Sequence, residues 1–160
     1  KSDYLGKMTI GGTPERIPRL SELLETIDGA AGIILELKGK KGQNEGFVKA
    51  VGDVLQGYSG PIAVMSFDEK LVVDARQLLS DIPVGLTAEG GKKNQRYHLK
   101  VAQNANVDFV SYWIENIEDP FADAFRRSGR PLISWTVRNP KQKAYSDKFA
   151  DQPTFEGFLP

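Results

Sequence analysis

The fold is decided by the stretch Ile33-Ile34-Leu35-Glu36-Leu37-Lys38 and by the residues that follow it. A short run of β-branched and leucine residues, bounded upstream by glycine, is typical of a buried strand at 33–37. Apolar residues then recur at helical spacing over 47–55, and Gly60-Pro61 marks a turn before a second apolar run at 62–67. A strand, a helix and another strand in this order indicate parallel pairing through a helical crossover.

The same alternation continues along the chain. Further strands are predicted at 84–87, 107–112 and 132–137, with helices at 71–79, at 120–128 and from Asn139-Pro140, where Asn139 is the expected N-cap. The segment 90–94 is predicted to be a flexible polar loop. Five strands separated by helices define the α/β class, either as a doubly wound sheet or as part of a TIM (β/α)8 barrel, and periodicity does not separate the two.

Length and composition limit the possibilities further. The 160 residues suit a single domain over 1–160 and are short for a complete barrel of about 250 residues. Equal numbers of acidic and basic residues, 21 each, give no field that favours nucleic acid or an anionic membrane. With no Cys and one His, the chain contains no disulfide, no thiolate site and no pair of catalytic histidines.

The sequence gives little information about where the protein is located in the cell. No apolar run approaches the roughly 20 residues of a membrane span, and no signal peptide is visible. The sequence leaves the compartment undetermined, with the cytoplasm favoured.

Charged residues stand at the end of the first strand. In a parallel α/β fold, functional side chains lie at the C-terminal ends of strands. Glu36 and Lys38 are two residues apart and therefore point to the same side of a strand. Facing a barrel mouth, they suit a metal ligand beside a phosphate-binding cation; the alternatives are a buried ion pair or charges covered by helices. The run Lys38, Lys40 and Lys41 could contact phosphates or form a solvated loop.

Other strand ends carry aromatic and acidic residues. Phe67, Trp113 and Trp135 are interpreted either as the wall of a small-molecule pocket or as core. Glu89 is either a further oxygen ligand or a solvated loop residue. His98 lies in a basic, polar stretch without a partner pattern, which predicts a surface histidine and not a catalyst.

These strand ends resemble motifs of one enzyme family, the glycerophosphodiester phosphodiesterases. Residues 33–38 resemble the family's "IELK" strand, and the segment 17–24 resembles the "IPtLeElL" segment before it. The remaining matches are 65–68 with "SF(D/N)", 85–87 with "GLL/GLT" and 134–138 with "WTVN/WTVR", the last after an "R..G.P" approach. Five fragments in the correct order, across nearly the whole chain, make the match specific.

The resemblance implies a fold, an activity and a set of roles. Members are TIM barrels that use a divalent cation, calcium or magnesium, to hydrolyse glycerophosphodiesters to glycerol 3-phosphate and an alcohol. By this resemblance Glu36 is a metal ligand, Lys38 a catalytic residue near the phosphate, and Phe67 and Trp135 border the glycerol. Glu89 joins them as a substrate-binding candidate.

Several family motifs are missing. The "HRG", "PENT", "E.D" and "HD" segments, which supply the family's two catalytic histidines, two metal carboxylates and a phosphate-binding arginine, do not occur here. The tail 155–160 also departs from the family's "G.(I/V)TD.P". Because one carboxylate and one lysine cannot hold a dication and also move protons, we expect this chain alone to be inactive.

Open sheet edges predict an association. A five-stranded part-barrel exposes two parallel edges, so we expect the chain to pair with a missing N-terminal half or to self-associate. Two alternatives stay open. One is a truncated, non-enzymatic part-barrel that acts as an oligomerising or phosphodiester-binding domain; the other is an unrelated small α/β enzyme with Glu36 and Glu89 as its carboxylates.

Overall fold

Six strands form one parallel sheet in which each strand lies beside the next strand of the chain. The computed structural model describes residues 6–40, 42 and 44–160. The strands are β1 Ile33–Glu36, β2 Ile62–Ser66, β3 Val84–Ala88, β4 Phe109–Trp113, β5 Leu132–Val137 and β6 Gln152–Phe155. Sequential order without a reversal is the order of a barrel wall and not of a doubly wound sheet. The predicted class, part of a (β/α)8 barrel, is confirmed.

Helices precede or connect these strands. They are α1 Leu20–Ile27, α2 Phe47–Leu55, α3 Glu69–Leu78, α4 Lys92–Asn104, α5 Pro120–Arg127 and α6 Pro140–Phe149, with a short 3-10 helix at Ile114–Asn116. Crossovers between neighbouring parallel strands share one hand, so the helices cover one face of the sheet and leave the other face concave. Among the described residues, no helix is long and apolar enough to cross a bilayer.

Helix starts follow their sequences closely. Asp68 caps α3 by accepting hydrogen bonds from the backbone N–H groups of Lys70 and Leu71. Asn139 caps α6, its Oδ1 accepting from Gln142 N at 2.9 Å, with Pro140 at the first helical position. The predicted N-cap at Asn139 is therefore confirmed.

Two elements differ from the sequence prediction. The strand β6 was not predicted, because Gln152–Phe155 is short, polar and contains Pro153, which is tolerated only at an edge or strand start. The loop predicted over 90–94 is shorter than expected, since α4 already begins at Lys92. Only Gly90 and Gly91 form the turn, and Gly91 has a φ of 116° that favours glycine.

Alternate residues of each strand face the helices or the concave side. Ser134 in β5 and Ser146 in α6 are hydrogen-bonded through their Oγ atoms at 2.6 Å, so Ser134 faces the helices. Its neighbours Ile133 and Trp135 therefore face the concave side. Residues in register on neighbouring parallel strands lie on the same side of the sheet. Ser111 lies beside Ile133, and Thr87 beside Ser111, so both also face the concave side.

The main core lies between the sheet and the helices. Val64, Leu86, Val110 and Leu132, one from each of four neighbouring strands, have no exposed surface. The helices contribute an opposing layer of buried side chains, including Leu71, Val72, Ala75, Val101, Ala102, Phe121 and Phe125. Each fully buried aliphatic or aromatic side chain contributes about 1.5–3 kcal/mol, which fixes the sheet against its helices.

One aromatic ring fills the concave face near the N-terminal ends of the strands. Phe109 and Gly85 are register partners, and the Phe109 ring occupies the space where a Gly85 side chain would stand. A Cβ atom on Gly85 would lie 2.3 Å from Cζ of Phe109, so the packing requires glycine. This ring closes the floor below the strand ends.

Two aspartates make equivalent contacts at the lower edge of the sheet, which is the edge formed by the N-terminal ends of the strands. Asp108, just before β4, accepts a hydrogen bond from Val84 N at 2.7 Å and pairs with Arg76 of α3 at 2.6 Å. Asp151, just before β6, accepts from Leu132 N at 2.8 Å and pairs with Arg126 of α5 at 3.3 Å. Each aspartate thus joins a helix, the strand after it and the next strand.

Asp108→Asn is expected to lower the free energy of unfolding by about 1 kcal/mol, because the amide still accepts from Val84 but loses the charge paired with Arg76. Urea denaturation measures the difference. Asp123→Asn is the control, since Asp123 forms only an exposed i,i+4 pair with Arg127 and should change stability by less than ~0.5 kcal/mol. Equal losses in both variants would contradict a special role for Asp108.

Candidate functional site

The candidate site lies at the C-terminal ends of the strands, on the concave face. Glu36 ends β1, Phe67 follows β2, and Trp113 ends β4. Trp135 lies in β5, in register with Trp113. Parallel strands bring these residues to one edge of the sheet, where barrels of this class carry their chemistry.

Glu36 and Lys38 form an accessible ion pair. The Nζ atom of Lys38 lies 3.5 Å from Oε2 of Glu36, as their same-sided spacing predicts. The Lys38 side chain is 79% exposed and the Glu36 side chain 26% exposed. The pair is therefore neither buried nor covered by helices, and an exposed pair contributes little to stability. Both groups are free to meet a ligand.

Phe67, Trp113 and Trp135 form one aromatic cluster. The Phe67 and Trp135 rings meet edge-on with centroids 5.6 Å apart, and the Trp113 and Trp135 rings stack at 6.4 Å. The Trp135 indole is held by a hydrogen bond from Nε1 to Ser111 O at 3.1 Å. Phe67 is 42% exposed and Trp113 37% exposed, so these rings form a wall and not core.

A small cavity lies between the charged pair and Phe67, the one ring of the aromatic cluster that lines it. It has a volume of about 260 Å³ and is lined by Glu36, Lys38, Phe67 and Asp68, among others. The turn that presents Phe67 is fixed because Ser66 Oγ donates to Leu37 O at 2.6 Å and accepts from Asp68 N at 3.1 Å. A cation, a carboxylate and an aromatic ring therefore converge on one space.

Asp68 lines this cavity but its carboxylate is already engaged. Its Oδ1 caps α3, and its Oδ2 accepts from Asn44 Nδ2 at 2.9 Å. Asn44 in turn accepts from Lys40 N at 2.7 Å, which orders the segment after β1. Lys41, the third lysine of the predicted basic run, lies outside the described residues.

Glu89 stands apart from the cavity. It follows β3 directly and is exposed. Within the described part of the chain, its carboxylate forms no hydrogen bond or ion pair. Its position at the strand edge leaves its predicted substrate-binding role open to test.

The side chains around the cavity offer few ligands for a divalent cation. Calcium takes six to eight oxygen ligands, and magnesium takes six. Residues 6–40, 42 and 44–160 contain no group of three or more Asp, Glu or His side chains placed to hold a metal. Glu36 offers one carboxylate, and Asp68 is committed to the α3 cap. These residues alone therefore do not fit a complete cation site.

His98 is buried, so the predicted surface position is wrong. It is 5% exposed on α4, and its ring packs against Tyr112 and Phe121 with centroids 6.1 and 5.6 Å away. Burial lowers the pKa of His98 below its ordinary value, partly opposed by the charges of Glu89 and Asp119. The prediction failed because most residues of this stretch are polar, and α4 turns only the face that carries His98 toward the sheet. His98 lies on the helix side of the sheet and cannot serve the cavity.

Two hydroxyl groups on the concave face were missed from the sequence. Thr87 and Ser111 are buried register partners, and their Oγ1 and Oγ atoms have no hydrogen-bond partner among the described residues. They lie one level above Gly85 and Phe109 on the same face. The sequence does contain a signal for them. Thr87 comes two residues after Gly85, and Ser111 two residues after Phe109, so each polar residue shares the concave side of its strand with a glycine or an aromatic residue.

The sheet defines the chain as part of a parallel (β/α) barrel, with its candidate site at the C-terminal strand edge. A similar fold occurs in a solved phosphodiesterase of Oleispira antarctica, a structure in complex with the product sn-glycerol-3-phosphate. It is 19% identical, with a TM-score of 0.74, over 88% of this chain and 57% of that one. A glycerophosphodiester phosphodiesterase of Parabacteroides distasonis gives a TM-score of 0.76 at 14% identity, over 97% and 66%. At these identities the solved structures show the fold alone.

A curated relative adds sequence similarity. YhdW of Bacillus subtilis strain 168, whose name places it among the glycerophosphodiester phosphodiesterases, is 29% identical over 133 residues. The match covers 81% of this chain and 54% of YhdW, so the chain spans about half the length of this relative. No protein-family model matches the chain. The chain is thus similar in sequence to YhdW and in fold to solved glycerophosphodiester phosphodiesterases, in agreement with the resemblance of its strand-end motifs.

Proposed function

We propose that the complete protein hydrolyses glycerophosphodiesters to glycerol 3-phosphate and an alcohol, with calcium or magnesium as cofactor. Glu36 supplies one ligand to the cation, and Lys38 neutralises charge on the phosphate. Phe67 and Trp135 border the glycerol portion of the substrate, and Glu89 contacts the substrate from the edge of β3. The alcohol head group is left unspecified.

The observation that carries the proposal is the convergence of Glu36, Lys38 and Phe67 on one cavity at the C-terminal strand edge. A phosphodiester at physiological pH carries a negative charge that a lysine ammonium attracts, more strongly as water is excluded. The Phe67 and Trp135 rings offer apolar faces to the carbon atoms of a glycerol unit. The cavity therefore presents charge at one side and an apolar wall at the other, as a glycerophosphate group requires.

The described residues supply only part of the chemistry. Hydrolysis needs a base for the water nucleophile and an acid for the leaving alkoxide. The one histidine of the chain, His98, is buried behind the sheet, and the described residues offer no complete metal site. We therefore propose that this chain alone has no turnover and that the remaining groups come from a further segment.

The concave face supports a proposed pairing with such a segment or with a second copy. Ile34 on β1 points to this face and is 48% exposed, and Phe67 and Trp113 above it are also exposed. The outer strands β1 and β6 each have one sheet neighbour within the described residues. Covering this face would bury apolar surface and satisfy both open edges.

The proposal is tested by assaying glycerol 3-phosphate release from glycerophosphocholine by the full-length protein and by the 160-residue chain. Full-length protein should turn over with magnesium or calcium and stop on addition of EDTA, whereas the 160-residue chain should release nothing. A denaturing intact mass identifies which species is present in each sample, because the chain alone has a mass of 17.7 kDa.

Three outcomes would contradict parts of this proposal. Turnover by the pure 17.7 kDa chain would overturn its inactivity. Full activity in EDTA would overturn the metal requirement. A full-length protein that binds glycerophosphocholine without cleaving it would favour the alternative, a non-enzymatic phosphodiester-binding part-barrel.

A further inference from the structure

A second cavity lies on the opposite face of the molecule, between α4 and α5. This groove has a volume of about 350 Å³ and a mainly apolar floor. Leu99 and Ala102 line it from α4, and Phe121, Ala124 and Phe125 line it from α5. Leu99 is 48% exposed, which leaves apolar surface open to a ligand. Because helices cover the outside of a barrel, the groove stays accessible when the concave face is covered.

The charge of the groove is positive and uncompensated. Its charged lining residues are Arg96 and Arg130, and no carboxylate lines it within the described residues. The chain as a whole has equal numbers of acidic and basic residues, so this is a local departure from balance. An apolar floor with a few placed polar groups is the usual composition of a small-molecule site.

The two arginines differ in how they are held. Arg130 is fixed, since its Nη1 donates to Val107 O at 3.0 Å, its Nε donates to Ser128 Oγ, and its guanidinium lies 4.3 Å from the Phe125 ring centroid. The Arg96 side chain forms no hydrogen bond or ion pair within the part of the chain that the structure describes. Its guanidinium therefore keeps all its donors for a carboxylate or phosphate.

Geometry places Arg96 at the end of an apolar track. Arg96 and Leu99 are three residues apart on α4, so they share a face, and Ala102 continues it. The lining runs from Gln95 to Gln103, about 12 Å along the helix at roughly 1.5 Å per residue. Arg130 at the other end is engaged, so the uncommitted guanidinium of Arg96 and an apolar track of this length match a short amphiphile with an anionic head.

We propose that this groove binds a single-chain anionic amphiphile, with its oxygen-bearing head on Arg96 and its alkyl chain along Leu99, Phe121 and Phe125. Arg130 adds positive potential at the far end and keeps the Phe125 ring in place. This binding is separate from the cavity at the strand ends and does not depend on the proposed hydrolysis. It gives the protein a second ligand, of fatty-acid type.

Isothermal titration of the protein with decanoate, kept below its micelle concentration, tests the site. Decanoate should bind with one-to-one stoichiometry, and decyl maltoside, which has the same chain with a neutral head, should bind at least tenfold more weakly. Arg96→Gln should weaken decanoate binding about tenfold. Ala124→Trp, which fills the groove from an exposed position on α5, should weaken it by a similar factor.

Arg127→Gln is the matched control. Arg127 lies on α5, is exposed and pairs with Asp123, and it does not line the groove. Its removal changes the net charge by the same amount as Arg96→Gln and should leave decanoate binding unchanged. The proposal is overturned if decanoate does not bind, if Arg127→Gln weakens binding as much as Arg96→Gln, or if Ala124→Trp has no effect. Equal binding of decyl maltoside would overturn the role of the anionic head.

Discussion

Glu36→Gln is expected to lower kcat/KM of the full-length protein on glycerophosphocholine by at least about 10²-fold. The substitution keeps the size of the side chain but removes the charge that would face a divalent cation, and it leaves Lys38 without its partner at 3.5 Å. A steady-state assay of glycerol 3-phosphate release measures the loss. The same series should show that the variant needs a higher metal concentration for half-maximal activity.

A change in folding must be separated from this effect. The Glu36 side chain is 26% exposed and pairs with the exposed Lys38 side chain, so thermal unfolding should shift little. Asp53→Asn is the control, because Asp53 forms an exposed pair with Lys49 on α2, away from the cavity. Wild-type activity in Glu36→Gln, with an unchanged metal requirement, would refute the assignment of Glu36 as a metal ligand.

The second large effect is expected from acid. Burial lowers the pKa of His98 in the folded state, so below about pH 6.5, its ordinary value, the unfolded chain binds a proton that the folded chain does not. The free energy of unfolding should then fall with decreasing pH by up to about 1.4 kcal/mol per pH unit, until pH reaches the lowered pKa. Above that ordinary value the contribution of His98 is fully present.

His98→Phe isolates this contribution. Phenylalanine keeps an aromatic ring against Tyr112 and Phe121 but does not titrate, and the chain has no second histidine. Urea denaturation at pH 7.5, 6.5, 6.0 and 5.5, values chosen around the ordinary histidine pKa, should give a falling stability for the wild type and a nearly level one for the variant. Parallel pH profiles would show that carboxylates, and not His98, govern the acid response.

The sequence predicted most of the fold because its apolar runs are short, regular and bounded by turn residues. The strand at Leu132–Val137 was predicted at its observed limits, and the others to within two residues at either end. The strand β6 was missed because an edge strand buries little, so it needs no apolar pattern. The choice between a barrel and a doubly wound sheet required strand order, which local periodicity does not contain.

The candidate site was predicted less completely. Same-sided spacing was enough to place Glu36 beside Lys38, and strand-end position was enough to bring Phe67 near Trp135. The burial of His98 depends on packing of α4 against the sheet and on the neighbouring Phe121, which no local pattern in a polar segment reveals. The engagement of Asp68 as a helix cap likewise becomes visible only with the backbone in place.

The paired aspartate contacts at the lower edge give the two ends of the sheet different tolerances to change. Asp108 and Asp151 connect strand starts to helices at the end away from the cavity, so part of the sheet register is fixed there independently of the candidate site. Changes to the strand-end loops that keep Ser66 and Asp68 should therefore disturb the sheet less than changes to Asp108 or Asp151. For protein engineering, this makes the remaining strand-end residues the positions to vary, with the two aspartates retained.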